Sequence, residues 1–355
     1  MKILFITPYP SEGASNRYRV EQYLPYLKDN GFEYSVSPFV SSDFYRIIYK
    51  KGHLLKKAYY FFKGLLKRVL DTVSARQYDV IFIHREACPL GPPFFEWLLH
   101  KFNKFIIFDF DDAIFMQNFN PANRLYSFMK FPSKTKSIIK MSSSVIVANR
   151  FLEDYARKYN SNVHIIPTVI DTEKFVPSKK NRSLVVIIGW IGSPTTAPYL
   201  RIIFNALQKL RKSHDFVLKV VGAGENISVK GVQVDNVDWR LKTEIEDFQG
   251  IDIGVYPIMN NPWAFGKAGF KAIQYMSVAV PVVASPVGIT KEIIQDGVNG
   301  FLAASEEGWI EKLSALIENE GLREKIGLAG RKTVEEKFSV KVNAPKFVEI
   351  IKGSR

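Results

Sequence analysis

Residues Trp263 to Ser285 read WAFGKAGFKAIQYMSVAVPVVAS. A glycine-spaced loop with two lysines, Lys267 and Lys271, leads into an apolar helical run, Ala272 to Ala279. A strand-like run follows, Pro281 to Ala284. Backbone N–H groups at the start of a helix have no intrahelical partner and present a site for an anion. Two ammonium groups four residues apart add positive charge beside it. We read the stretch as a grip on the diphosphate of an activated sugar, with Gly266, Gly269, Phe270, Lys267 and Lys271 around it. The plainer alternative is a βα turn whose lysines face water.

Working back toward the N-terminus, Leu184 to Ile188 is a long apolar run followed by GWIGSPTTAPYL. Gly192, Ser193 and Thr195 supply backbone and hydroxyl donors ahead of a helix expected over Tyr199 to Leu210. This is a second candidate phosphate cradle. It is not a P-loop, because no lysine follows the glycines in register. Phe216 to Gly224 reads as strand and turn. Asn236 to Arg240 carries Trp239, which either stacks on a base or fills a gap, with Arg240 beside it. Ile251 to Ile258 is a further strand. Beyond the opening stretch, DGVNG (Asp296 to Gly300) is a turn. Helical patterns cover Trp309 to Glu318 and about Leu322 to Lys352, the second interrupted near Phe338-Ser339.

The first half has the same grammar. Lys2 to Thr7 is a strand running into PYPSEGAS, with Gly13 in the loop. A helical pattern places Tyr18, Val20, Tyr23, Leu24 and Leu27 on one side, and Gly31 closes it as a C′ glycine. A second strand, Tyr34 to Phe39, follows. Strand, glycine loop, helix, strand opens a doubly wound α/β domain, whose ligands bind at the carboxyl ends of the strands. Arg17 and Arg19 sit just after the loop, within reach of an anion. Asp79 to His84 ends in His84-Arg85-Glu86, and Phe105 to Asp112 ends in Asp109, Asp111 and Asp112. Three carboxylates so close either meet a cation or carry a raised pKa. They could orient an acceptor hydroxyl. Alternatively, Asp111 or Asp112 caps the next segment. Ser144 to Ala148 and Val163 to Pro167 are two more strands. The polar stretch Asp171 to Ser183 reads as an interdomain linker.

A length of 355 residues suggests about two domains. The net charge of +14 points to an anionic partner: nucleic acid, a membrane surface or a phosphorylated ligand. Much of it lies in Arg46 to Leu70, which holds eight Lys or Arg and no acid. At about 100° per residue, Ile47, Ile48, Leu54, Leu55, Ala58, Phe61, Phe62, Leu65, Leu66 and Val69 share one arc. Arg46, Lys50, Lys56, Lys57, Lys63, Lys67 and Arg68 share the other, with Lys51 misplaced. Such a helix suits an anionic bilayer. Equally, its apolar arc could pack on the core with the lysines solvated. Gly52 and Gly64 hint at a break. The single cysteine, Cys88, allows no internal disulfide. The five histidines have no ligand spacing, so no metal site is expected. No run approaches a membrane span. We expect a cytoplasmic protein, peripheral on the inner face of the cell membrane through residues 46–70. No nucleic-acid module signature appears, so no nucleic acid is expected as partner.

ILFITPYPSEG, FIIFDFDDAIF, VHIIPTVIDTEKFVP, VVIIGWIGSPTTAPYL, DIGVYPI and GKAGFKAIQYMSVAVPVVASPVG followed by EIIQDGVNGFL together resemble the family 4 retaining glycosyltransferases, the glycogen-synthase-like group. The resemblance runs along nearly the whole chain. It implies the GT-B fold: two Rossmann-like α/β domains facing across a cleft, the last helix crossing back onto the first. It implies an acceptor-binding domain at 1–175 plus 336–355, and a donor-binding domain at 176–335. The implied activity is retaining, metal-independent transfer from a UDP- or GDP-sugar, a substrate rather than a cofactor, to a cell-envelope or lipid-linked glycan. Implied catalytic residues are Asp111, Asp112, Lys267 and Lys271. Implied donor contacts are Gly13, Gly192, Ser193, Thr195, Trp239, Arg240, Gly266, Gly269, Phe270 and Gln274. Implied acceptor contacts are Arg17, Arg85 and Glu86. The family carries two glutamates around a Gly-Phe-Gly turn, and those positions hold Gly266 and Gln274 here. The family's Arg and Lys after the strand that carries Trp190 are also missing. The alternatives are a non-catalytic sugar-nucleotide or membrane-binding protein of the same fold, or a sugar-nucleotide epimerase.

Overall fold

The computed structural model describes residues 1–48, 50, 52–103, 105–116, 131, 133–178 and 185–353. It contains two compact units. The first comprises Met1–Thr168 and Asn343–Arg355, the second Val169–Val342. Each is built on a six-stranded parallel sheet.

In the first unit the strands are β1 (Lys2–Thr7), β2 (Glu33–Pro38), β3 (Val80–His84), β4 (Ile106–Phe110), β5 (Ser144–Val147) and β6 (Val163–Ile165). They lie in the order β2-β1-β3-β4-β5-β6. β3, β4 and β5 are buried along their whole length. Fully covered parallel strands have no solvent face, so they read as continuous apolar runs rather than alternating ones.

The second sheet has β7 (Val186–Ile191), β8 (Phe216–Val221), β9 (Gln233–Val237), β10 (Ile253–Tyr256), β11 (Val282–Ala284) and β12 (Phe301–Leu302). Their order is β12-β11-β10-β7-β8-β9. The core around it combines Ile188, Trp190, Leu218, Val220, Val255 and Val283 with Leu200, Leu207, Trp309 and Leu313 from the covering helices. The expected strand start at Leu184 lies outside the described residues, as does part of the expected linker. β7 runs on through Gly189 and Trp190 to Ile191.

The winding direction reverses between β1 and β3 in the first sheet, and between β7 and β10 in the second. In open α/β sheets, ligands settle outside the carboxyl ends of the strands at these reversals. The loops that follow Thr7, His84, Ile191 and Tyr256 occupy those positions.

Several expectations shift. The boundary falls at 168/169 and 342/343, rather than at 175/176 and 335/336. Residues 169–175 are tied to the second unit: Ile170 bridges Ser339, and Arg331 donates to the carbonyls of Thr172 and Phe175. The first helical pattern is two helices, Ala14–Arg19 and Leu24–Asp29, with Pro25 in the first turn of the second. Gly31 ends it at φ +76°, and Phe32 N–H donates to Leu27 O across the turn, as a C′ glycine permits. The expected helix Tyr199 to Leu210 begins as a 3₁₀ segment, Ala197–Ile203, and becomes α-helical at Phe204–Leu210. The C-terminal pattern breaks at Ser339, which is extended at ψ 149°. The last helix, Val340–Gly353, joins the first unit from Asn343. There Phe347 stacks on Tyr23, ring centroids 4.2 Å apart.

Candidate functional site

The carboxyl edge of the second sheet is assembled by close backbone approach. After β7, a Cβ on Gly192 would lie 2.3 Å from the Trp190 ring and 2.8 Å from Thr196 Oγ1. After β8, Gly222 takes φ +79°, and a Cβ there would lie 2.7 Å from Gly192 O and 3.1 Å from Trp239 Cβ. Only glycine fits both the torsion and the gap. The loops after β7, β8 and β9 are thereby drawn together, and Gly192, Ser193 and Trp239 with them. Thr196, which sequence reasoning passed over, braces the first loop. Its hydroxyl accepts from Ser193 N–H at 3.1 Å and lies 3.3 Å from Ser193 Oγ. Ser193 Oγ and Thr195 Oγ1 are 2.9 Å apart. Arg240 is exposed.

After β10 the chain forms the short helix Pro262–Phe265, capped by Asn261 Oδ1 accepting from Ala264 N–H at 2.9 Å. Gly266 ends it, and its N–H donates to Trp263 O. Gly269, at φ +65°, starts the helix Phe270–Ser277. A Cβ on Gly269 would meet Ile293 Cδ1 at 2.5 Å. Lys267 Nζ stands over the Tyr199 ring at 6.0 Å, on the segment that follows β7. Lys271 Nζ stands 5.2 Å over Phe248 and donates to Gln274 Oε1 at 2.8 Å. Gln274 is fully buried. The next residue, Tyr275, was also missed. Its hydroxyl accepts from Ile191 N–H at 2.9 Å and donates to Gly189 O at 3.0 Å, pinning this helix to the end of β7. Burial pushes that phenol's pKa upward.

The first sheet's carboxyl edge is held differently. Arg19 is 1% exposed and pairs with Asp109 through Nη2 and Nε, while Nη1 donates to Ile166 O at 2.7 Å. Asp109 also lies 2.7 Å from His84 Nδ1. His84 Nε2 is buried with no hydrogen-bond partner among the described residues. Arg85 takes φ +60°, uncommon for a side-chain-bearing residue, and its Nε donates to Asp111 Oδ1 at 2.7 Å. Burial acts to raise both carboxyls, but the charges of Arg19 and His84 at Asp109, and of Arg85 at Asp111, win and hold both below the usual carboxylate range. Of the two expectations for this carboxylate cluster, these two meet cations; neither has a raised pKa. Asp112 Oδ1 accepts from Ala113 N–H at 3.1 Å. Glu86 faces the buried Lys134 at 3.6 Å, and Lys134 also pairs with Glu96 at 3.3 Å.

Gly13 lacks room for a side chain because of its own loop: a Cβ would lie 2.5 Å from Tyr9 Cβ. Arg17 Nη1 donates to the carbonyls of Ser11 at 2.9 Å and Glu12 at 3.2 Å, which stitches that same loop. The sequence signal for Arg19 was an arginine inside the apolar pattern of Tyr18, Val20 and Tyr23, opposite an acid inside the buried run FIIFDF.

Residues 46–70 are not one helix. Ser42–Ile48 and Leu54–Ser74 are separated by Gly52 at φ +77° and His53 at φ +60°, so the expected break occurs at Gly52. Tyr49 and Lys51 lie outside the described residues. Gly64 is no break but a contact, where a Cβ would meet Phe39 O at 2.9 Å. Arg68 leaves the expected basic arc. It is fully buried, donating to Thr7 O, Ser37 O and Ala87 O and pairing with Asp71 at 2.5 Å. It thus satisfies carbonyls at the ends of β1 and β2. Among the described residues no helix is long and apolar enough to cross a membrane, and no group of three or more acids, histidines or cysteines could hold a metal ion.

Residues 184–319 match the family model described as Glycosyl transferases group 1. The capsular polysaccharide biosynthesis glycosyltransferase CapM of Staphylococcus aureus is 24% identical over 172 residues, 44% of this chain and 43% of that protein. The chain spans about half the length of the curated relatives it matches, between 43% and 62%. The solved glycosyltransferase from Rickettsia africae superposes with a TM-score of 0.71 at 18% identity, over 99% of this chain and 98% of that one. Anabaena Alr3699/HepE, solved in complex with UDP-glucose, gives a TM-score of 0.69 at 16% identity, over 99% and 100%. With its two parallel six-stranded sheets, this chain has the GT-B fold and carries in residues 184–319 a glycosyl transferases group 1 domain.

Proposed function

We propose that the protein transfers a sugar from a UDP- or GDP-sugar to a cell-envelope or lipid-linked glycan, with retention and without a metal ion. One observation carries the reading. The loops after β7, β8, β9 and β10 converge at the carboxyl edge of the second sheet, and the last brings two lysines to the start of the helix Phe270–Ser277. The matched family domain lies within this unit. A diphosphate at that helix start takes backbone N–H donors and the positive end of the helix dipole. The ammonium groups of Lys267 and Lys271 stabilise the charge that develops on the departing diphosphate, the part a metal plays elsewhere. Gln274 holds Lys271 in place; a direct contact with ribose hydroxyls would require that pair to open. The rings of Trp239 and Tyr199 flank the loops as surfaces for the base and sugar. In the first unit, Arg85 follows β3 at the reversal point, and its partner Asp111 and Asp112 follow the neighbouring β4; an acceptor hydroxyl would be oriented there. No side-chain nucleophile is required if the acceptor attacks from the leaving-group face.

Calorimetry with UDP, GDP and ADP tests the donor site, with micromolar binding of UDP or GDP expected. Lys271→Ala should lower transfer about 100-fold, the scale of losing one stabilising charge at the leaving group. Its melting temperature should stay near that of the parent. No binding of any of the three nucleotides would sink the proposal. A parent that binds UDP but never turns over would favour the binding-only reading, which Gly266 and Gln274 at the family's acidic positions support. Release of an isomerised donor without acceptor would identify an epimerase.

A further inference from the structure

The helix Leu54–Ser74 sits on the first unit the wrong way round for a surface helix. Its buried side carries Gly64, Arg68 and Thr72. Its outward side carries Leu55, Tyr59, Phe62, Leu66, Leu70 and Val73, from 61% to 88% exposed. At about 100° per residue, these six fall within an arc of about 80°, opposite Arg68. A helix on a soluble domain normally turns such a stripe inward. Six large apolar side chains in one row exceed the scattered single residues that a soluble surface tolerates.

The inversion has a local cause. Arg68 is drawn inward by carbonyls of Thr7, Ser37 and Ala87, and Asp71 follows it, with only 12% of its side chain exposed. Gly64 lets the helix approach Phe39 closely. With these residues inside, the apolar stripe is left outside.

Charge selects the occupant. Lys56 and Lys63 are exposed and border the stripe on one flank. Asp71 is the only acid in the helix, and it is turned in to Arg68. A second copy of the chain would bring another +14 against this surface. An anionic lipid leaflet brings the opposite sign, and its acyl boundary accepts apolar side chains to a depth of about 5–10 Å. We infer that the outward face of Leu54–Ser74 docks the protein on an anionic bilayer. The helix lies in the interface plane, the apolar stripe is inserted, and Lys56 and Lys63 reach lipid phosphates. The face differs from the one the sequence suggested, because Arg68 takes no part and the stripe is rotated away from the apolar arc centred on Phe61 and Leu65. The neighbouring helix Phe94–Phe102 also exposes Phe94 and Trp97.

Co-sedimentation with phosphatidylcholine vesicles, with and without phosphatidylglycerol, tests this on the full chain. It needs neither sugar donor nor acceptor, so its outcome is separable from the nucleotide calorimetry. The parent should partition at least tenfold better onto the anionic vesicles. The triple variant Phe62→Gln, Leu66→Gln, Leu70→Gln should lose at least tenfold of that binding while keeping its circular dichroism and melting temperature. Lys56→Gln with Lys63→Gln should lose about tenfold and show a weaker salt dependence. As a second measure, Tyr59→Trp should be quenched by brominated lipid, and Tyr60→Trp, which faces Phe44, should not. The inference fails if the parent ignores anionic vesicles or if the triple variant binds as the parent does. It also fails if the two tryptophan variants are quenched alike. A parent dimer in gel filtration that the triple variant converts to monomer would assign the face to a second copy instead.

Discussion

The two carboxyl edges do the same topological job with different materials. In the first unit the loops are held by buried and half-buried charge: Arg19 on Asp109, Arg85 on Asp111, Arg68 on Asp71 and on main-chain carbonyls. In the second they are held by the absence of side chains. Gly192 accommodates Trp190, Gly222 accommodates Gly192 O, and Gly269 accommodates Ile293. A charge-held edge tolerates changes of volume better than changes of ionisation. A glycine-held edge does the reverse. It also leaves backbone groups close to whatever enters, which suits a ligand rich in negative oxygens.

The contrast can be broken most forcefully at Asp109. Asp109→Asn leaves Arg19 buried without a counter-charge and takes away the carboxylate that faces His84. Losing one partner of a buried pair costs about 3–5 kcal/mol. Urea unfolding should show a loss of that size, and a loss under about 1 kcal/mol would mean the edge is not charge-held. On the other side, Gly222→Ala places a methyl against Gly192 O at a left-handed torsion. Strain of this kind costs about 1–3 kcal/mol. UDP affinity should fall with it, because the loops carrying Ser193 and Trp239 must separate. Unchanged affinity in calorimetry would detach those loops from the donor site.

The smallest effect concerns acid. The carboxyls of Asp109 and Asp111 are depressed in the folded state. The unfolded chain takes up protons near pH 3.9, where the folded chain still resists them. Their contribution is therefore complete above about pH 5 and is lost as pH falls below about 4 toward the folded values. The urea midpoint should drop over that window. Asp111→Asn should lower the midpoint at neutral pH by less than about 2 kcal/mol in stability and flatten the acid limb. A limb as steep as the parent's would place the acid sensitivity elsewhere.

The apolar runs VIFIH and FIIFDF were legible as buried strands because neither of their faces meets water, whereas the strand read as ending at Ile188 continues through Gly189 and Trp190 to Ile191. Gly31 and Gly52 were legible as chain breaks because few other residues tolerate their torsions. The lysines at 267 and 271 were legible as a pair beside a helix start. The role of Tyr275 was not, since a tyrosine in an apolar helix looks like core until its hydroxyl is seen bridging Ile191 and Gly189. Nor was the crowding at Gly13, where a Cβ would lie 2.5 Å from Tyr9 Cβ.

By itself the sequence determined the two α/β units, the strands of the first sheet, the second sheet's strands apart from β9 and β12, and the loops that end up at the carboxyl edges. Those features follow from local periodicity and torsional preference. Only the tertiary structure decided which charges neutralise one another and which way the helix Leu54–Ser74 faces. Both depend on groups distant in the chain. Arg68 turns inward because Thr7, Ser37 and Ala87 offer it carbonyls, and no helical periodicity records where those carbonyls lie.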